Sequence, residues 1–279
     1  MSDGNWVAAV PRLRAAREPS VLVTVVEVRG HAPRNAGAKM VVSRADAFGS
    51  IGGGNVEAVA VERARELLGS SDAGPELRTS KLSDKAPYQH GVQCCGGEVT
   101  VLLDPLPVVP AVAVFGFGHV GFELARVLAR HDIELHVIDT RAEQFSDERV
   151  ASLASSVAQV HTHQPPVLPE VVLGELPKGC HVLVMTHDHA EDAALCDALL
   201  REGEFGSIGL IGSRAKWGRF RRRLSEEGGH DADAIARIKC PIGLSDLGGK
   251  DPATIAVSVA ADLLHAFERE RSGASVPAR

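Results

Sequence analysis

The sequence predicts an α/β protein in which a C-terminal Rossmann-like domain with a parallel sheet is preceded by a smaller α+β domain. The run Val112-Ala-Val-Phe-Gly-Phe-Gly-His-Val-Gly121 reads as a buried strand, a glycine turn and the opening of a helix over 122–130. A second apolar run, Leu135-His-Val-Ile138, ends in Asp139, eighteen residues after Gly121. These are the parts of a dinucleotide fingerprint in strand–turn–helix–strand context. Upstream, several β runs accompany only two helical stretches, the pattern of an α+β unit. Asp104-Pro-Leu-Pro-Val-Val-Pro110 carries three prolines in seven residues and reads as a linker. The expected division is therefore 1–104, a Pro-rich linker at 105–110, and a Rossmann-like domain at 111–271.

Within the first unit, 5–17 reads as a short helix and Ser20–Val28, β-branched and apolar, as a buried strand. The glycine- and proline-bearing stretch 29–37 reads as a loop. Short strands are expected at 38–43, 49–51, 77–82 and 98–103, with a helix over 55–68. In the second unit, later strands are expected at 157–161, 181–185 and 207–211. Helices are expected near 189–202, 214–227 and 252–269.

Composition bounds the function. The 279 residues are 44% apolar, 24% charged and only 4% aromatic, with a formal charge of −6. So few aromatic residues argue against a stacking surface for single-stranded nucleic acid, and the net charge gives no field toward nucleic acid or anionic membrane. No stretch approaches a membrane-spanning length of apolar residues, and Met1-Ser-Asp-Gly-Asn has neither region of a signal peptide. The expectation is a cytoplasmic protein, without membrane or nucleic-acid partners, whose cysteines (94, 95, 180, 196 and 240) are reduced thiols.

The loops carry the chemistry. In the fingerprint, Gly116 permits the turn, Gly118 lets a pyrophosphate approach the backbone, and Gly121 lets helix pack on strand. A phosphate there would meet the free N–H groups of a helix N-terminus. His119 either contacts that phosphate or caps the helix. Asp139 is placed to accept from a ribose hydroxyl, which favours NAD over NADP, although Arg141 softens the preference. Phe117 is bulky and is expected to narrow the pocket.

Thr186-His187-Asp188-His189 follows a strand. His187 and His189 could bind a metal or phosphate or act as a base, whereas Thr186 or Asp188 could simply cap the next helix. Arg214 and Lys216 open a helix against its dipole, a local conflict that points to an anion at this edge. Arg219, Arg221, Arg222 and Arg223 read as a solvated or protein-docking face. Gly52, Gly53 and Gly54 precede a helix in a second anion-accepting arrangement. Cys95, with Cys94 beside it and Gly96-Gly97 after it, is a thiol in a flexible turn, suited to be a nucleophile, sulfur carrier or metal ligand.

The order of these pieces resembles the xanthine dehydrogenase accessory proteins of the XdhC/CoxI type over nearly the whole chain. The matching pieces are Gly30-His-Ala-Pro-Arg with Gly37-Ala-Lys-Met, Gly49-Ser-Ile-Gly-Gly-Gly-Asn-Val-Glu and Cys95-Gly-Gly. They continue with Phe115-Gly-Phe-Gly-His-Val-Gly, Thr186-His-Asp-His, Ile208-Gly-Leu-Ile-Gly-Ser-Arg, Cys240-Pro-Ile-Gly-Leu and Gly249-Lys-Asp-Pro. The resemblance implies a maturation factor that binds molybdenum cofactor (molybdopterin or its dinucleotide form). Such a factor supports the cofactor's sulfuration with a cysteine desulfurase and inserts it into an apo xanthine dehydrogenase or a related molybdenum hydroxylase. The family's cysteine maps onto Cys95, expected near the metal.

On this reading Gly116, Gly118, Gly121 and Arg214 hold the pterin phosphate or nucleotide, and His187 and His189 line the site. No catalytic triad, carboxylate pair or closed metal cage is visible, so the chain reads as a carrier more than a catalyst, with a homodimer left open. The rival readings are an NAD-dependent oxidoreductase and a nucleotide or redox sensor.

Overall fold

The computed structural model describes residues 4–70, 73–82, 97–154, 156–202 and 204–271. They form two compact units, Met1–Val108 with Arg269–Arg279, and Val109–Glu268.

In the first unit, helix α1 (Trp6–Ala15) precedes strands β1 (Ser20–Arg29), β2 (Lys39–Ser43) and β3 (Ala47–Gly49). Helix α2 (Gly54–Leu67) and strands β4 (Glu76–Lys81) and β5 (Glu98–Leu106) follow. The sheet is antiparallel in the order β3-β2-β1-β5-β4. Period-two alternation gives it two covered faces. Val21, Val23 and Val25 pack with Val56, Ala60 and Ala64 of α2, while Val41 and Phe48 pack with Ala9 and Leu13 of α1. Register shifts between Val25 and Glu27, a bulge where β1 approaches the 30–37 loop.

Two boundaries differ from expectation. The strand expected at 49–51 lies at Ala47–Gly49, because Ser50 to Gly53 fold around Glu57 instead. Strand β5 continues past 103 into the proline stretch, with Pro105 opposite Val21. β4 stops at Glu76, opposite Leu103, so β1 alone flanks β5 beyond that point, and proline's missing N–H is tolerated at such an edge.

The second unit alternates strand and helix. Its strands are β6 (Ala111–Phe115), β7 (Glu134–Ile138), β8 (Gln159–His163), β9 (His181–Val184), β10 (Ser207–Leu210) and β11 (Ile238–Lys239). Its helices are α3 (His119–Leu128), α4 (Asp147–Ala154), α5 (His189–Glu202), α6 (Arg214–Glu226), α7 (Ala232–Ala236) and α8 (Pro252–Arg271). All strands run parallel in the order β11-β10-β9-β6-β7-β8. The fully buried β6 (AVAVF) is flanked by β7 and β9, so the chain winds in opposite directions from it. That reversal opens a crevice at the carboxyl ends of β6 and β9, where ligands of such sheets bind.

One face is covered by Leu124, Ala125 and Leu128 of α3, Leu153 of α4, and Ala256, Val259 and Leu263 of α8. The other is covered by Leu195, Cys196 and Leu199 of α5 and Phe220 and Leu224 of α6. Strand β8 runs two residues later than expected. The Val157 and Ala158 N–H groups both donate to Ala129 O, tying that segment to the end of α3 before pairing with β7 begins. Among the described residues, no helix is long and apolar enough to cross a membrane.

Candidate functional site

The carboxyl ends of β6, β7, β9 and β10 bring four of the sequence-selected loops to one edge of the parallel sheet. The fingerprint begins there. Gly116 has φ +106°, and a Cβ on it would lie 2.3 Å from Met185 O; one on Gly121 would lie 1.9 Å from Gly116 O. Both positions therefore exclude every side chain for reasons of backbone packing. Gly118 differs: φ is −71°, and a Cβ there would meet only Arg141 Nη2, at an ordinary 3.8 Å. Two glycines close the turn, and the third leaves room over it.

Gly118 is also the N-cap of α3, with no side-chain cap. The helix begins at His119, not at 122 as expected, so Gly121 lies in its first turn and His119 stands exposed at its first position. Phe117 does not narrow the ligand side. Its ring is fully buried against Phe122 and Phe145, beneath the Arg149 guanidinium 4.6 Å from its centroid. Arg149 donates to the Phe117 and Gly118 carbonyls at 2.7 and 3.1 Å, fixing the loop from below.

Asp139, expected to take a ribose hydroxyl, has other partners. Its Oδ2 accepts from Phe117 N–H (2.7 Å) and Arg141 Nη2 (2.8 Å), and its Oδ1 from Arg141 N–H (3.0 Å) and Nε (2.9 Å). Burial alone would raise this carboxyl, but the Arg141 fork and the two backbone donors hold it below the ordinary carboxylate range. Asp139 thus braces the loop and aims Arg141 at the open face of Gly118. In the sequence, Arg141 is marked only by its place two residues after the strand-end acid, which bears on nucleotide preference and not on this role.

On the β9 side, His187, Asp188 and His189 are all exposed. Asp188 Oδ1 accepts from Ala190 N–H, so the capping role considered for it is present. The His189 ring stands edge-on to Phe220. The organising residue here is Asp192, which sequence reasoning missed. Fully buried, it accepts from the Thr186 N–H (3.0 Å) and hydroxyl (2.7 Å), and pairs with Lys216 Nζ at 2.8 Å. Lys216 therefore answers an internal carboxylate, and its Nζ also donates to Ile211 O. Arg214, the first residue of α6, remains exposed at this edge. Next to the loop, burial, with the nearby Asp139, Asp192 and Asp188 carboxylates, pushes the Glu191 carboxyl up, against a pull downward from His187. A carboxyl that keeps its proton to higher pH can donate a hydrogen bond to an anionic oxygen.

In the first unit, the anion accepted by the 50–54 loop is its own. Glu57 Oε2 takes the Ser50 hydroxyl (2.6 Å), Ile51 N–H (3.0 Å) and Gly53 N–H (2.9 Å), while Gly52 N–H donates to Ser50 Oγ. The glycines at 52, 53 and 54 are needed for their positive φ values of 127°, 72° and 63°, which wrap the chain around this carboxylate. The Gly52 and Gly53 N–H groups of the expected anion-accepting arrangement are thus taken up by Ser50 Oγ and Glu57 Oε2. Cys94, Cys95 and Gly96 lie outside the described residues. Gly97 is described, and a Cβ on it would fall 2.3 Å from His31 O. A Cβ on Gly52 would meet Pro33 at 2.6 Å. The His31–Arg34 loop therefore touches both the 50–54 loop and the strand end that follows Cys95.

A model of the XdhC Rossmann domain matches residues 112–263, and one of the XdhC and CoxI family matches 13–79. The chain belongs to the XdhC/CoxI family. Among curated relatives of this XdhC/CoxI protein is the uncharacterized protein YqeB of Escherichia coli (strain K12), 27% identical over 260 residues. That match covers 93% of this chain but only 46% of YqeB. The molybdenum cofactor insertion chaperone PaoD of the same organism is 26% identical over 275 residues, covering 88% of this chain and 82% of PaoD. A crystal structure of a xanthine dehydrogenase from Bacillus halodurans aligns with a TM-score of 0.49 and 18% identity, over 97% of this chain and 98% of that one.

Proposed function

We propose that this chain is a molybdenum cofactor carrier that protects the cofactor, supports its sulfuration and inserts it into an apo xanthine dehydrogenase or a related molybdenum hydroxylase. The observation that carries the proposal is the open face of Gly118 at the start of α3, beside a guanidinium held in place by Asp139. Unpaired helix N–H groups and a fixed cation suit a phosphate, the group that ends molybdopterin and that is extended to a pyrophosphate in its dinucleotide form. The similarity to PaoD, named for insertion of this cofactor, supports the same reading.

Gly116, Gly118 and Gly121 form the phosphate seat with Arg141. Arg214, His119, His187 and His189 supply further cationic or hydrogen-bonding groups at the same edge. Cys95 supplies the thiol for the molybdenum end or for sulfur received from a cysteine desulfurase. The protein acts in the cytoplasm as a carrier, without turnover of its own. An NAD-dependent reaction would require Asp139 to receive ribose hydroxyls, and both its oxygens are engaged by Arg141 and Phe117.

The test is anaerobic purification from cells able to make molybdenum cofactor, followed by molybdenum analysis, pterin fluorescence and transfer to an apo-hydroxylase. Near-stoichiometric molybdenum and pterin are expected, with delivery lost in Cys95→Ala. Arg141→Met should weaken cofactor retention about tenfold, as for loss of a charge-assisted contact to phosphate. Protein free of both molybdenum and pterin would sink the carrier reading. Cofactor delivery by Cys95→Ala at the wild-type rate would remove the thiol from it.

A further inference from the structure

Away from the fingerprint, strands β7 and β8 carry a histidine cluster that the cofactor reading leaves without a role. Period-two spacing puts Glu134 and His136 on one face of β7, and His161 and His163 on the same face of β8, with His136 paired to His161 in register. We propose that Glu134, His136 and His161 form a binding site for a divalent transition-metal ion, with zinc the best match in chemistry.

The distances support three ligands around one ion. Glu134 Oε1 lies 3.1 Å from His136 Nε2 and 3.6 Å from His161 Nε2. Zinc bonds of 2.0–2.1 Å at tetrahedral angles place neighbouring ligand atoms about 3.3 Å apart, between these two values. One possible ligand atom from each of the three residues lies within 4.8 Å of the others. His161 Nε2 is shielded from solvent and has no hydrogen-bond partner among the described residues, a cost that a bound ion would remove. The His136 and His161 rings are stacked, with centroids 4.8 Å apart and planes 17° apart. Capture therefore requires one ring to turn about χ2, and His161, with a side chain 36% exposed, is the one free to do so.

The surroundings fit the requirement that a ligating imidazole be held through its other nitrogen. His136 Nδ1 lies 3.0 Å from His163 Nε2, and His163 Nδ1 lies 3.7 Å from Glu175 Oε2. With Nε2 on the metal, His136 Nδ1–H donates to His163 Nε2, and His163 Nδ1–H faces Glu175. Three protein ligands leave the fourth position of a tetrahedral ion to water or an incoming group. The ion would pin edge strand β8 to β7.

The test titrates zinc alone into full-length, chelator-washed protein, using a competing chromophoric chelator to read affinity and thermal unfolding to read coupling. One tight equivalent and a rise in Tm are expected for wild type. His161→Ala, a change at a partly exposed ring, should weaken that equivalent at least tenfold and abolish the Tm rise. Glu134→Gln should weaken binding in the same direction. Wild-type protein that takes up no zinc would overturn the proposal. So would His161→Ala and Glu134→Gln variants that bind the same equivalent with unchanged affinity, since the ion would then sit elsewhere. None of these readouts depends on molybdenum cofactor, so failure here leaves the carrier reading untouched.

Discussion

The Gly121→Ala variant is expected to lose about 3 kcal/mol of unfolding free energy, and the ligand seat with it. Two effects oppose each other. Alanine inside a helix is favoured over glycine by about 1 kcal/mol. Against this, the new Cβ would stand 1.9 Å from Gly116 O and 3.0 Å from Gly116 C, and backbone atoms cannot swing aside. Gly116 is itself confined, donating to Ile138 O at 2.8 Å and lying against the Met185 carbonyl. Relief must therefore move α3 or part the strands at the crevice. Such overpacking lies at or above the usual 1–3 kcal/mol. Gly118→Ala supplies the contrast, because its Cβ meets nothing closer than 3.8 Å. It should remain within about 1 kcal/mol of wild type, the cost of a poorer N-cap, while phosphate-ended ligands bind at least tenfold more weakly. Urea unfolding and cofactor retention measured on both variants separate the roles. A Gly121→Ala protein with a wild-type urea midpoint would show that the helix yields, and the steric account would fail.

The contrast between these two glycines explains how far the sequence could be read. The strand–turn–helix pattern was legible because Gly116 and Gly121 each answer a local backbone requirement, and β6 is apolar at every position of its run. The boundary of α3 was not, because His119, Val120 and Gly121 are all weak helix formers. The start of α3 follows instead from the close packing of Gly121 on Gly116. Likewise β5 passes through Pro105 because β4 ends early, which depends on another strand's length and not on the proline. Strand β8 is shifted because the 157–158 backbone pairs with Ala129, a tertiary contact with no signature in the segment itself.

The site was legible as a set of loops, less so as a set of partners. Strand ends of a parallel sheet gather at one edge, so Gly116–Gly121, Asp139, Thr186–His189 and Arg214 could be assembled from topology. What each charged group touches could not. Asp139 and Lys216 both turned inward, one to Arg141 and the other to Asp192, because buried groups must find counter-charges before a ligand arrives. The buried Glu57 carboxylate is met likewise from within its own loop, by neutral donors in place of a counter-charge. The β7–β8 histidines were readable in principle, since Glu134-x-His136 and His161-x-His163 show the alternation of strands. Recognising them required knowing that the two strands are neighbours in register.

The second large effect is expected at the Asp192–Lys216 pair. Asp192 is fully buried and the Lys216 side chain is only 12% exposed, so deleting either partner strands a charge away from water. Lys216→Met and Asp192→Ala should each cost about 3–5 kcal/mol. Asp192→Ala additionally strips the Thr186 N–H of its acceptor and leaves its hydroxyl only the Asp188 carbonyl. The double variant should be less damaged than the sum of the two, because no buried charge is then left alone. A urea-unfolding cycle over the four proteins measures the coupling. Additive effects, or a Lys216→Met protein within about 0.5 kcal/mol of wild type, would mean that solvent reaches Asp192 and the pair carries little energy. The pair matters to the proposed site because of where it sits. One carboxylate holds the loop after β9 through Thr186 and the start of α6 through Lys216, so both flanks of the crevice share a single anchor. Variants that break it should retain cofactor less well even at temperatures where they stay folded, since His187 and Arg214 would no longer be held at the same edge.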